Sequence, residues 1–488
     1  MNGSRPMSSV ISRYSEQDVL SPLRAIADQA FSRAAGAPLV HGNRLRILKD
    51  AGENYPVWLE AMRAARKRIF FESYIIRDDE VGRQFAGLLA AKAREGVHVR
   101  LIYDWMGSRR GVGRSFWRNL TESGVEVRCF NPPRFDSPLG WLSRDHRKMI
   151  SVDGRVGFVS GLCIDRRWVG RPKRGIGPWR DTGVEIEGPA VADIDQAFAE
   201  TWAACGAPIA PEELQQNRES IAAAGEVALR VVASSPSVAG VYRLDQLVAA
   251  IARRSIWLTD AYFVGTTAYV QALRAAASDG VDVRLLVPRS TDVPFIGALS
   301  RAGFRPLLEA GVRVFEWNGP MLHAKTAVAD GRWARVGSTN LNLASWIGNW
   351  ELDVVVEDEP FAHEMEQMYL DDLAHSTEII LSERRRLRLS EEPENPSHRA
   401  RRAPGSAGRA ASSVLTLGST VSAAITRRRL LGPAEWTIMI YAGAVLLGLA
   451  VVAVLWPPVI AIPLAVICVW LAVSFVIQAY KLRSQRKK

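Results

Sequence analysis

Two long stretches of the chain share one rhythm of apolar and polar positions. Short runs rich in aromatic and β-branched residues, "RIFFESYII" (Arg68 to Ile76) and "SIWLTDAYF" (Ser255 to Phe263), predict buried strands. Each is followed by helical periodicity, "GRQFAGLLAAKAREG" in one and "AYVQALRAAASDG" in the other. A glycine then ends the helix and opens a second apolar strand, "GVHVRLIYD" or "GVDVRLLVP". The next pair, "LTESGVEVRCFNP" and "LLEAGVRVFEWNG", repeats the order of helix end, glycine and strand. Corresponding glycines lie 184 residues apart at Gly96 and Gly280, and 187 apart at Gly124 and Gly311. One unit is therefore used twice with small loop changes, unlike a short-period solenoid.

Strands alternating with helices predict an α/β architecture, with a parallel or mixed sheet covered by helices on both faces. Asp181 to Pro189 ("DTGVEIEGP") and Glu351 to Glu357 ("ELDVVVE") read as strands closing the two halves. The expected organisation is a helical or flexible segment over 1–41, a first α/β domain over 42–210, and a join over 211–228. A second α/β domain follows over 229–382. Arg, Pro, Ser, Ala and Gly dominate residues 383–433, which read as a flexible tether with a short interfacial helix near Val414 to Ile425.

Past the tether the pattern changes again. Trp436 to Trp456 is an uncharged run of 21 residues, roughly 31 Å as a helix and enough to span a bilayer. After Pro457-Pro458 a second uncharged span covers 459–480, so 434–488 is expected to form a two-helix membrane hairpin with a basic tail. Tryptophan and tyrosine mark the span ends, and Arg427-Arg428-Arg429 and "KLRSQRKK" flank the pair. Basic flanks on both sides place both ends in the cytoplasm.

Composition then matters mainly for where the charge lies. The net charge of +11 suggests nucleic acid until it is located: residues 383–488 hold sixteen Lys/Arg against five Asp/Glu, while forty-six of each cancel over 1–382. A neutral folded part disfavours a nucleic-acid partner. The four cysteines form no C-x-x-C pair, which argues against a structural zinc or a disulfide framework. Met1 to Gly36 has no continuous apolar run, so no secretory signal is expected.

The candidate chemistry also occurs twice, as "DHRKMISVDGRVGFVS" (Asp145 to Ser160) and "LHAKTAVADGRWARVGST" (Leu322 to Thr339). With seven histidines and nine lysines in 488 residues, chance supplies only about 0.1 His-x-Lys pairs. On a strand, positions two apart share a face, so His146 with Lys148 and His323 with Lys325 each present an imidazole beside an ammonium. A phosphodiester substrate suits that pairing, with the imidazole acting on phosphorus and the compact cation holding non-bridging oxygens.

His-x-Lys, four residues, Asp, then Gly-Ser-x-Asn resembles the signature of the phospholipase D superfamily. The second half carries it whole as His323, Lys325, Asp330, Gly337, Ser338 and Asn340, with Ser345, Asn349 and Glu351 beyond. The first half has His146, Lys148 and Asp153 but reads Ser160-Gly161-Leu162-Cys163 where the amide-bearing segment belongs. The resemblance covers roughly Gly42 to Ser382. It implies two duplicated α/β/α sandwich domains packed face to face, so that both His-x-Lys pairs build one site without metal or organic cofactor. It further implies a phosphohistidine, with His146 as nucleophile and His323 as general acid/base by family order. Ser338 and Asn340 would bind phosphate, and Asp181 and Glu351 would orient the imidazoles. Asp153 and Asp330 would complete the catalytic set, though an Asp-Gly position serves a turn equally well. Cys163 reads as a small buried residue.

Within the superfamily, "DHRKMISVDGRVGFVSGL" with "PWRDTGVEIEGPAV", and "MLHAKTAVAD" with "GSTNLNLAS", resemble bacterial cardiolipin synthases of the variant without N-terminal membrane spans. The resemblance implies phosphatidyl transfer between phospholipids, with phosphatidylglycerol as donor and acceptor and phosphatidylethanolamine as a further substrate. It also implies a place in the bacterial inner membrane, with the catalytic part facing the cytoplasm. Hydrolysis to phosphatidic acid uses the same residues and is the main alternative; a nuclease or a non-catalytic scaffold stands further off. The loop "NPPRFDSPLGWLSRDHRK" sets Pro138, Leu139, Trp141 and Leu142 beside the first histidine, to meet acyl chains or the core.

Overall fold

The computed structural model describes residues 27–133, 142–214, 218–236, 238–381 and 387–389, with scattered positions between 444 and 476. In the first half the strands are β1 (Val40–Lys49), β2 (Arg68–Ser73), β3 (His98–Asp104), β4 (Glu126–Phe130), β5 (Lys148–Val152), β6 (Val156–Ser160) and β7 (Thr182–Glu187). In the second they are β8 (Val227–Ser234), β9 (Ser255–Thr259), β10 (Asp282–Pro288), β11 (Arg313–Trp317), β12 (Thr326–Ala329), β13 (Trp333–Gly337) and β14 (Glu351–Glu357), followed by β15 (Ser376–Leu381) and β16 (Leu387–Leu389).

The duplication is visible in the sheet order. From the centre outward, the first half runs β1-β7-β6-β5-β2-β3-β4 and the second β8-β14-β13-β12-β9-β10-β11, extended by β15 and β16. In each half only the helix-connected strands, β2-β3-β4 and β9-β10-β11, are parallel, and the rest pair antiparallel. Both halves are thus the expected mixed α/β units. The four glycines that mark the repeat, Gly96, Gly124, Gly280 and Gly311, all have φ between 88° and 93°, a conformation that ends a helix and that glycine adopts without strain. The helix Glu80–Arg94 starts where Asp79 accepts from the Val81 and Gly82 amides, and it buries Val81, Phe85 and Leu89 at helical spacing.

Each half has its own core, with Trp58, Phe71, Phe85 and Phe158 in the first and Leu258, Leu285, Phe304 and Trp346 in the second. A third cluster joins them, packing Val159, Val184 and Ile186 against Leu229, Val336, Leu352 and Val354. Each such buried aliphatic side chain contributes about 1.5–3 kcal/mol. The halves also meet edge to edge. β1 pairs with β7 of its own half and with β8 of the other, at Val40 with Leu229 and Asn43 with Val227. The expected face-to-face packing therefore comes with a continuous sheet, which neither repeat shows when read alone.

Among the described residues no helix is long and apolar enough to cross a membrane. The hairpin expected over 434–488 falls largely outside those residues. Its described positions are mainly helical and expose Leu447, Val454 and Val476. The tether over 383–433 and the apolar residues Pro138, Leu139 and Trp141 lie outside them too, apart from β16, whereas Leu142 is described and exposed.

Candidate active site

The segments entering β5 and β12 carry the two histidines, and each is stitched to the opposite half. The His146 amide donates to the Trp350 carbonyl at 2.8 Å, and the Trp350 amide to the Arg144 carbonyl at 2.8 Å. On the other side the His323 amide donates to the Arg180 carbonyl at 2.7 Å, and the Arg180 amide to the Met321 carbonyl at 2.9 Å. The residue after Trp350 is Glu351, and the residue after Arg180 is Asp181. Backbone register therefore delivers each carboxylate to the histidine of the other half. His146 Nδ1 lies 2.9 Å from Glu351 Oε2, and His323 Nδ1 lies 2.8 Å from Asp181 Oδ2.

Burial sets the protonation of both pairs. His146 is 8% exposed and His323 5%, and both carboxylates are fully buried. Burial lowers His146 to about 4, against the pull of Glu351. It lowers His323 to about 3, helped by the ammonium of Lys325. Burial opposes ionisation of Asp181 and Glu351, but the facing histidines and nearby lysines hold both below the ordinary carboxylate value. The result is two neutral imidazoles, each set to donate Nδ1–H to a carboxylate and so to keep the ring proton off Nε2. Lys325, desolvated among these groups, falls to about 8. Its Nζ lies 2.9 Å and 3.1 Å from the two ring nitrogens of His323. Lys148 bonds the His146 carbonyl and lies 5.4 Å from the Tyr74 ring centroid. Lys325 also depresses His146, and Lys148 depresses His323, so the four residues share one electrostatic site.

The carboxylates are propped differently in the two halves. Ser338 donates its hydroxyl to Glu351 Oε2 at 2.6 Å, which uses in this structure the donor expected for phosphate. Asn340 is buried with its Oδ1 unpartnered, and its Nδ2 lies 3.5 Å from Ser345 Oγ. The place of Ser338 in the first half is Gly161. A Cβ there would lie 2.1 Å from Asp181 Oδ1, so the departure from Gly-Ser-x-Asn makes room for Asp181. Trp168 replaces the missing hydroxyl, its indole donating to Asp181 Oδ2 at 2.8 Å. Cys163 is buried as expected.

Asp153 and Asp330, expected in the catalytic set, stand elsewhere. Asp153 accepts from the backbone amides of Arg66, Lys67 and Arg68, and Asp330 from those of Arg253, Arg254 and Ser255. Both have positive φ, 55° and 53°. They pin the β5–β6 and β12–β13 turns to the starts of β2 and β9, and their carboxylates are fully engaged there. Sequence reading also passed over Trp168 and Arg147. Trp168 lies in Trp-Val-Gly (168–170), which recurs as Trp-Ile-Gly at 346–348 and was available as a signal. Arg147, the middle residue of the first His-x-Lys, is fully buried and donates to the carbonyls of Ala197 (2.6 Å), Ser234 (3.1 Å) and Glu351 (3.2 Å). It ties the first strand of the site to the second half.

Comparison with known proteins bears on this arrangement. The family described as "Cardiolipin synthase, PLD-like domain" matches residues 58–202 and 247–373. The chain is 34% identical over 370 residues to cardiolipin synthase A of Pseudomonas fluorescens (strain SBW25), covering 74% of each chain. It is 32% identical over 348 residues to cardiolipin synthase of Alkalihalophilus pseudofirmus, covering 71% of this chain and 69% of that one. Among solved structures, phosphatidylserine synthase of Haemophilus influenzae Rd KW20 superposes with a TM-score of 0.57 at 13% identity, over 72% of this chain and 91% of that chain. This last likeness concerns the fold alone.

Proposed function

The chain belongs to the cardiolipin synthase family with phospholipase D-like domains and is a phosphatidyltransferase; we propose that it makes cardiolipin by transphosphatidylation through a phosphohistidine. The observation that carries the reading is the crossed pair of buried imidazoles, each held at Nδ1 by a carboxylate of the opposite half.

The substrate phosphate of phosphatidylglycerol lies between Lys148 and Lys325, with Asn340 as a further donor. His146 Nε2 attacks phosphorus; a P–N bond forms and the P–O bond to the headgroup glycerol breaks. The entering anion raises the proton affinity of His323, which takes up a proton from water, and the imidazolium so formed gives that proton to the departing oxygen. A second phosphatidylglycerol then brings its hydroxyl to His323. The imidazole takes that proton as the oxygen bonds to phosphorus and the P–N bond breaks. Two phosphatidylglycerols become one cardiolipin and one glycerol, and His323 is again protonated for the next cycle.

The uncharged spans 436–456 and 459–480 anchor the enzyme in the bacterial inner membrane with its site on the cytoplasmic side. Exposure of the apolar Leu447, Val454 and Val476, at 68%, 77% and 69%, supports a lipid-facing surface there. The deciding experiment is mass spectrometry of products from vesicles of phosphatidylglycerol with purified full-length protein. Cardiolipin and free glycerol are expected, and phosphatidic acid alone would replace this reading with hydrolysis.

A further inference from the structure

The two walls of the site are unequal. At the end of β2 the Tyr74 ring lies 4.9 Å from the His146 ring. Its place after β9 is taken by Ala261, and beside it opens a cavity of about 290 Å³ lined by Ala261, Tyr262, Arg289, Ser290, Ile296 and Arg301 among others. At the matching turn of the first half the Tyr74 carbonyl stands close over Gly107, where a Cβ would lie 2.0 Å from its oxygen. Among the described residues, then, an aromatic ring backs His146 where Ala261 and a cavity stand on the other wall.

The cavity is on the side of His323. The Tyr262 ring lines the cavity and lies 5.9 Å from the His323 ring, with Lys325 Nζ 5.9 Å from its centroid. Ala261, Tyr262 and Ile296 pack with Met321, two residues before His323, and with Trp179. The floor is apolar, and the rim carries two arginines of different status. Arg301 is paired with Glu316 at 2.7 Å and donates to the Arg289 carbonyl at 3.1 Å. Arg289 is exposed, its Nη1 is 3.4 Å from the neutral Asn318 Oδ1, and among the described residues it has no carboxylate partner.

We infer that this cavity seats the accepting alcohol, with Arg289 meeting the phosphate of the acceptor phospholipid while its hydroxyl reaches His323. The inference rests on the transferase reading above. An acceptor phosphatidylglycerol carries its phosphate one glycerol chain away from the reacting hydroxyl, whereas water and glycerol carry none. A cation lining the same cavity as Tyr262, whose ring neighbours His323, therefore selects a lipid alcohol over both. His323 removes the hydroxyl proton as the new P–O bond forms and the P–N bond to His146 breaks. His146, backed by Tyr74, is left to phosphorus.

The test compares two acceptors at one phosphoenzyme. Full-length protein in phosphatidylglycerol vesicles is given radiolabelled glycerol, and label exchanged into phosphatidylglycerol is measured beside cardiolipin formed. Arg289→Ala removes a charge-assisted contact to phosphate and is expected to lower the ratio of cardiolipin to exchanged glycerol by about tenfold or more. Ala261→Tyr, which copies Tyr74 of the other wall, is expected to lower the same ratio. An unchanged ratio in a folded Arg289→Ala protein, or an equal fall in both products, overturns the cavity's role while the transferase reading stands. Wild-type protein that neither exchanges glycerol nor forms cardiolipin overturns both.

Discussion

Asp181 Oδ2 lies 2.8 Å from His323 Nδ1, although the two residues are 142 positions apart and belong to different halves. Glu351 and His146 mirror this contact across 205 positions. A carboxylate accepting from Nδ1–H keeps the ring proton off Nε2, so Asp181→Asn and Glu351→Gln should each cut turnover on the order of a thousandfold or more with the fold intact. Steady-state rates from labelled phosphatidylglycerol, with circular dichroism as the folding control, check this. A variant retaining a tenth of wild-type turnover would refute it.

In the proposed reaction His146 attacks phosphorus and His323 moves the proton, and quenched reactions separate the two roles. With phosphatidylglycerol labelled at phosphorus, wild type should carry acid-labile, base-stable label on protein. His146→Ala should carry none, and turnover should fall at least about a thousandfold in both His146→Ala and His323→Ala. Label on a His146→Ala protein would move the nucleophile to His323.

Gly161→Ser looks like a repair of the first motif and should do harm. Its Cβ would meet Asp181 Oδ1 at 2.1 Å, so Asp181 must move off His323. Overpacking of this kind costs about 1–3 kcal/mol, and turnover should drop more than tenfold. Melting temperature and initial rate together report both effects; a gain in rate would refute the account of Ser160-Gly161-Leu162-Cys163.

Asp330→Ala should behave as a stability mutant. It strips an acceptor from the amides of Arg253, Arg254 and Ser255 and puts alanine at a φ of 53°. Each amide left without its acceptor costs about 1–3 kcal/mol where water cannot replace it. Denaturant midpoints should shift down, while turnover per folded molecule at low temperature stays within a few-fold of wild type. Loss of turnover in fully folded protein would return Asp330 to the catalytic set.

Acid should destabilise the fold through both histidines. Their folded values, about 4 for His146 and about 3 for His323, lie below the ordinary 6.5. Between those values the unfolded chain binds more protons, so their contribution is complete above about pH 6.5 and is lost as pH falls toward 4 and then 3. The melting temperature should fall over that window, and less steeply in His323→Gln. Imidazole nitrogen shifts of both residues should still report neutral rings at pH 6; a charged ring there would contradict the burial argument.

Much of this was legible in the sequence because it is local or periodic. Strand and helix rhythm exposed the duplication, helix-ending glycines set its register, and His-x-Lys announced the chemistry through residue type and spacing. What stayed hidden depends on how the halves meet. The 35 residues from His146 to Asp181 and the 28 from His323 to Glu351 suggest pairing within a half, and only the backbone bridges at Trp350 and Arg180 reverse it. Asp153 and Asp330 sit within the motif by spacing, but strand direction carries them to the far end of β5 and β12. Gly161 looked like erosion because the carboxylate that needs its missing side chain comes from another strand. β1 lies ahead of the first repeated strand, and its second partner is β8, so no single repeat reveals the seam.

The crossed contacts also impose an order in time. A ribosome releases His146 long before it has made Glu351, the residue 205 positions later that holds its imidazole. β1 gains its second partner only once β8 (Val227–Ser234) is made, and Asp181 faces no histidine until His323 follows. A chain ending before Glu351 therefore lacks one of the two carboxylate–histidine contacts. Both carboxylate–histidine contacts exist only when nearly all of the catalytic part has been made, so the two halves of the site come into use together.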